Sequence, residues 1–144
     1  MNIQADIILV EDNESDAEFT LRALRKSSPV SHILHFQDGE EAVEYIFSTG
    51  QYENRNIHET PRLIILDLKM PKLNGLEILT KIKGDERTQH VPVVLLTSSK
   101  EENDIANGYK AGVNSYVVKP VAFDELVKVI EAIGSYWLSV NQHP

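Results

Sequence analysis

The chain has no cysteine, which excludes a disulfide framework and any thiolate metal site and suits a reducing compartment. Basic residues are also scarce: 14 Lys and Arg stand against 22 Asp and Glu, for a net charge of -8. That balance repels phosphate backbones and leaves no basic stripe for reading nucleic acid. No apolar run nears the ~20 residues of a membrane span. The opening Met1-Asn2-Ile3-Gln4-Ala5-Asp6 has no basic leader region. A cytoplasmic protein, neither exported nor embedded, is expected. A glycine-rich turn is missing after the first apolar run, where Glu11-Asp12-Asn13-Glu14-Ser15-Asp16 stands instead. Such an acidic turn would repel a dinucleotide pyrophosphate. His32, His35, His58, His90 and His143 lack metal-ligand spacing and read as solvated side chains.

What is present is one domain's worth of chain, 144 residues of which 42% are hydrophobic. The domain is expected over 1–144, with its core at about 6–133. Apolar runs of strand length alternate with amphipathic segments, the sequence form of βαβ units. Strands are expected at 6–11, 31–36, 62–67, from 91, and around 116–118. Ser15 with Glu18 reads as a capping box for a first helix that turns Ala17, Thr20, Leu21 and Leu24 inward. Asp38 with Glu41 opens a second, with Ala42, Val43, Ile46 and Phe47 inward and Gly50 at its end. Asn74 with Glu77 opens a third, carrying Leu76, Leu79 and Ile82.

The fourth helix, at about 101–111, turns Ile105, Ala106 and Tyr109 inward and holds Gly108 at a cost of ~1 kcal/mol relative to Ala. The fifth runs over about 122–140. Because the central strands are β-branched and apolar on both faces, helices must cover both sides of a parallel sheet. The expected fold is α/β, a flavodoxin-like doubly wound sheet of order 2-1-3-4-5. The polar stretch 48–61 exceeds the usual ~2–6-residue connection and reads as a surface excursion.

Four of the apolar runs end in reactive groups: Glu11-Asp12, Asp67, Thr97 and Lys119-Pro120. In a parallel sheet these groups gather at the carboxyl edge, where open α/β sheets bind ligands. Three carboxylates, a hydroxyl and an ammonium in one pocket suit a hard divalent cation holding a phosphoryl group. Asp12 and Asp67 offer carboxylates to Mg²⁺, and Asp67 is the candidate nucleophile, since carboxylates form aspartyl-phosphate intermediates. Lys119 supplies charge neutralisation.

Glu11-Asp12, Asp67 with Met70-Pro71 and Asn74-Gly75 behind it, Thr97-Ser98, Tyr116 and Lys119-Pro120 together resemble the receiver domain of two-component response regulators. The resemblance covers about 6–133. It implies that Glu11 holds the metal through a water and that the backbone carbonyl of Lys69 is a further ligand. It also implies that Thr97 hydrogen-bonds the phosphoryl group, with small Ser98 leaving room for entry. By the same resemblance Tyr116 changes rotamer as the threonine moves, and the Lys119–Pro120 bond is cis. The implied donor is a histidine kinase or a phosphotransfer protein. The 48–61 loop and Tyr136-Trp137-Leu138 further resemble stand-alone receivers serving phytochrome-type and hybrid histidine kinases.

An enzyme with turnover is not expected, beyond the domain's own phosphorylation and dephosphorylation. A haloacid-dehalogenase-type phosphatase, for instance, needs a second Asp where Lys69 stands. The alternative is a receiver-fold interaction module that signals without phosphate. With few residues after the last helix, no output domain is expected and the signal should pass through protein contacts. The fifth helix carries Phe123, Leu126, Val127, Ile130 and Trp137 on one apolar face and Val129, Ile133, Tyr136 and Val140 on a neighbouring stripe. One core cannot readily cover both, so the stripe is a candidate homodimer interface.

Overall fold

The structure is a computed structural model describing residues 4–144. Residues 1–3, part of the N-terminal stretch read above, lie outside it. Strands β1 (Ile7–Val10), β2 (Ile33–Phe36), β3 (Leu63–Leu66), β4 (Val93–Thr97) and β5 (Ser115–Val118) form one sheet. Helices α1 (Glu14–Ser27), α2 (Gly39–Phe47), α3 (Gly75–Lys83), α4 (Glu102–Lys110) and α5 (Phe123–Ser135) connect and cover it. The sheet order is β2-β1-β3-β4-β5 and every pairing is parallel, so the flavodoxin-like expectation holds.

Alternation along each strand divides the core. Ile8, Val10, Ile64, Leu66, Val93 and Leu95 pack with Ala42, Ile46, Ile78 and Ile82 on one side. Ile7, Leu9, Leu63, Ile65, Val94 and Leu96 pack with Ala17, Leu24 and Ile130 on the other. Each fully buried Ile or Leu contributes roughly 1.5–3 kcal/mol relative to exposure. The register Val10 to Leu66 and Leu66 to Leu95 levels the carboxyl ends of the three central strands. Between β2 and β3, β1 sits at the topological switch point of the sheet, where a crevice opens.

Local differences from the sequence reading have physical causes. Asn13, not Ser15, caps α1, its side chain accepting from Asp16 N, while Glu18 pairs with Arg22 on the exposed face. Asp38 caps α2 by accepting from Glu40 N, and Glu41 instead accepts from the Tyr52 hydroxyl. That helix ends on Ser48 in the left-handed region (φ 55°), and Gly50 (φ 56°) begins a short 3-10 turn, Gly50–Tyr52. The Asn74–Glu77 capping box of α3 is present in both directions. The 48–61 excursion is folded back by Arg55, which donates to the carbonyl of Tyr45 at 2.7 Å and lies over the Tyr45 ring.

On α4 the inward residue is Gly108; Ile105 is half-buried, and Ala106 and Tyr109 are exposed. A Cβ on Gly108 would stand 3.2 Å from both Leu95 Cδ1 and the Tyr116 ring, so the glycine lets the helix ride low on the sheet. On α5, Ile133 is 8% exposed and belongs to the core rather than to a surface stripe. The reason is the close approach of α1, where a Cβ on neighbouring Gly134 would meet Ser27 Oγ at 3.1 Å. A π-helical turn, Tyr136–Val140, continues α5 and buries Leu138, whose carbonyl accepts from Arg62 at 2.7 Å. Tyr136 and Val140 are exposed, and Val129 is partly buried against the core. Phe123, expected inward, is exposed and stacks edge-on with Phe19. The Lys119–Pro120 bond, expected cis, is trans.

Candidate functional site

The carboxyl ends of β1 and β3 bring Glu11, Asp12 and Asp67 together, with one carboxylate oxygen from each lying within 4.8 Å of the others. Glu11 is buried, its side chain accepting from Asn13 N at 3.2 Å, while Asp12 and Asp67 are half-buried. The main chain of Asp67 is fixed on two sides. Its N–H donates to the carbonyl of Val10 at 3.0 Å, and Gly75 packs so tightly on its carbonyl that a Cβ there would collide with it. The glycine of the Asn74-Gly75 pair therefore exists to let α3 start directly against the candidate nucleophile.

Lys119 reaches this cluster from the end of β5, where its N–H donates to the carbonyl of Thr97 at 2.7 Å. Its ammonium lies 2.9 Å from Glu11 Oε1, 3.6 Å from Asp16 and 3.9 Å from Asp67. Burial works to lower the Lys119 pKa, but the Glu11 hydrogen bond and the charges of Glu11, Asp67 and Asp16 outweigh it and hold the ammonium above its usual value. Glu11 is pushed up to about 7, by burial first and by repulsion from Asp67, against the hydrogen bond from Lys119. A single ammonium does not balance so many carboxylates, and crowded like charges of this kind favour a bound cation. All the donors are hard oxygens, the set that suits Mg²⁺. Lys69, whose backbone carbonyl the sequence reading added to the ligands, follows two residues after Asp67 and extends its side chain to Asp104 at 3.8 Å.

Thr97 ends β4 fully buried, its hydroxyl accepting from Ser99 N at 3.3 Å. Tyr116 is half-buried on β5, and its hydroxyl donates to the carbonyl of Ser99 at 2.8 Å. Burial raises its pKa. Ser99, Asp104 and Asp16 were not singled out by the sequence reading, because none stands at a strand end or in an apolar period. The stripe residues Val129, Tyr136 and Val140 lie on and beyond α5, outside this pocket.

Residues 7–131 match the family described as the response regulator receiver domain. The chain belongs to that family. The receiver is 36% identical over 138 residues to Response regulator Rcp1 of Synechocystis sp., covering 96% of this chain and 92% of that protein. The Mn²⁺-bound form of Rcp1 superposes with a TM-score of 0.87, at 35% identity over 96% of this chain and 97% of that one. The phosphorylated cyanobacterial phytochrome response regulator RcpA gives a TM-score of 0.89 at 36% identity, over 99% of each chain. The bacteriophytochrome response regulator AtBRR is 43% identical over 98% of this chain and all of its own, with a TM-score of 0.73.

The chain is thus a receiver of two-component signalling, close to stand-alone regulators of the Rcp1 and bacteriophytochrome type. Receivers are in general signalling modules rather than enzymes, interact with histidine kinases or phosphotransfer proteins, and bind Mg²⁺ at an acidic pocket. The cluster of Glu11, Asp12 and Asp67 fits a divalent metal. Among the described residues no helix is long and apolar enough to cross a membrane.

Proposed function

We propose that Asp67 accepts a phosphoryl group from a phosphohistidine donor with Mg²⁺ required, and that the phosphate then alters protein contacts at the α4, β5 and α5 side. The convergence of Glu11, Asp12, Asp67 and Lys119 on one crevice carries this reading. RcpA is described in a phosphorylated form and Rcp1 with Mn²⁺, which supports it. A carboxylate oxygen of Asp67 attacks the phosphorus, forming an O–P bond as the N–P bond of the donor histidine breaks and the imidazole leaves. Asp12, Asp67, Glu11 through a water and the Lys69 carbonyl would hold the metal, which neutralises charge on the phosphoryl oxygens.

Lys119 is already beside the nucleophile and keeps its charge, so it can pair with a phosphoryl oxygen without crossing the pocket. Thr97 offers its hydroxyl to another, and Tyr116 follows Thr97 through their shared contact, Ser99. The donor is a histidine kinase of phytochrome-type or hybrid kind, or a phosphotransfer protein, and the receiver acts in the cytoplasm. The exposed Tyr136 and Val140, with the edge of Val129, form the patch through which a second copy would pair.

Incubation with a small phosphodonor and Mg²⁺ should add one phosphate by intact mass. The addition should vanish on chelation or in Asp67→Asn; equal labelling of that variant would overturn the assignment.

A further inference from the structure

A second polar cluster lies beside the acidic pocket, and the phosphoacceptor reading leaves its central residue unused. Asp104, in the first turn of α4, accepts from Ser99 Oγ at 2.5 Å and lies 3.8 Å from Lys69 Nζ. The two residues it holds are symmetric about the site: Lys69 is two residues beyond Asp67, and Ser99 two beyond Thr97. Ser99 is a junction of its own. Its N–H donates to Thr97 Oγ1, its carbonyl accepts from Tyr116, and its hydroxyl donates to Asp104. Through Ser99 one carboxylate therefore touches both groups that the reading above requires to move, and through Lys69 it reaches the loop that follows the nucleophile. The Asp104 side chain is only 24% exposed, so its contact with Ser99 is partly shielded from water, whereas Lys69 is exposed and its pairing with Asp104 is screened by solvent. One turn along α4, Gly108 rests against the Tyr116 ring, so the helix that carries Asp104 also walls in the tyrosine.

We propose that Asp104 is a positioning residue that latches the resting arrangement of Thr97 and Tyr116. Thr97 cannot draw its hydroxyl towards a group on Asp67 without pulling on Ser99 N, and Ser99 cannot follow without straining its hydroxyl contact to Asp104. The latch raises the free energy of the rearranged state relative to the resting one, so removing it makes the phosphate-bound arrangement easier to reach. A purely structural Asp104, acting as a favourable negative charge in the first turn of α4, would on removal loosen the helix without favouring the rearranged state.

Two measurements on the full chain decide this. The first, amide exchange over 97–110 with no phosphoryl group present, is independent of the Asp67 assignment. The second, beryllofluoride affinity in Mg²⁺, rests on it. Asp104→Ala and Ser99→Ala should each speed exchange at 97–101 and tighten beryllofluoride about fivefold. Asp104→Asn keeps an acceptor for Ser99 but loses the charge facing Lys69, and should fall between. If Asp104→Ala fails to fold, Ser99→Ala and Asp104→Asn carry both readouts.

Wild-type affinity or weaker in these variants, even with faster exchange, would overturn the latch and leave Asp104 a structural residue. Failure of the wild-type protein to bind beryllofluoride would overturn the Asp67 reading instead. The latch would then stand or fall on exchange alone: unchanged rates at 97–101 refute it, and faster rates there with the rest of α4 unchanged support it.

Discussion

Every residue of β1 and β3 is buried, whereas β5 is only half-buried along its whole length and α4 buries nothing but a glycine. The two halves of the sheet also carry different groups. Glu11, Asp12 and Asp67 extend from the densely packed pair, while Tyr116, Ser99 and Asp104 belong to the loosely packed region around β5 and α4. Regions with few buried apolar contacts open at low free-energy cost, and dense core strands open only with the whole fold. The difference teaches where chemistry and response are separated: the carboxylates are held by the part that cannot yield, while of the residues that must shift Tyr116 sits on the part that can, and Thr97 stands at the last position of buried β4, where the loop to α4 begins.

The sharpest way to break this contrast is to cut the core on each side. Ile64→Ala, in the fully buried centre of β3, should destabilise by about 2–5 kcal/mol, and Val117→Ala in β5 by no more than about 1 kcal/mol. Urea denaturation of both variants measures it, and equal losses would mean that β5 is as tightly built as β3.

A pair of glycines gives a smaller effect. Gly75→Ala sets a methyl against the Asp67 carbonyl, with no side chain to yield, and should cost about 3 kcal/mol and weaken phosphate uptake. Gly108→Ala meets only side-chain atoms at 3.2 Å, and its gain of about 1 kcal/mol in helix propensity offsets much of the crowding. Thermal unfolding should place Gly108→Ala within about 1 kcal/mol of the wild type.

The smallest effect is electrostatic. The folded state keeps the Glu11 proton up to about pH 7, whereas the unfolded chain releases it near 4.5. Between those values the folded form binds more protons, so stability must fall as pH rises through the window. Water entry and relaxation around the pocket discount the full linkage value, and the fall should be on the order of 1 kcal/mol. Denaturation from pH 5 to 8 should show it, and Mg²⁺ should remove it. Stability rising over that range would contradict the burial of Glu11 as the cause.

The strand order and the groups at the carboxyl edge were legible because both follow from apolar runs and what ends them. Periodicity failed where close backbone approach decided the packing. Gly108 took the inward place expected for Ala106 and Tyr109, and Gly134 drew Ile133 into the core. The cap was misread at α1 because Ser15 and Glu18 match capping-box spacing, whereas Asn13, directly after the Glu11-Asp12 pair, is the residue that starts the helix. Ser99 and Asp104 left no trace in any pattern: Ser99 reaches Asp104 from the loop before α4, and Lys69 and Tyr116 reach the pair only across the fold.

Amide exchange of the whole protein with Mg²⁺, with and without beryllofluoride, tests the division most directly. Protection should change across 97–118, in β5, α4 and the loop before it, and stay constant in β1 and β3. The change should be absent in Asp67→Asn. A change spread evenly over the sheet, or one that persists in Asp67→Asn, would contradict it.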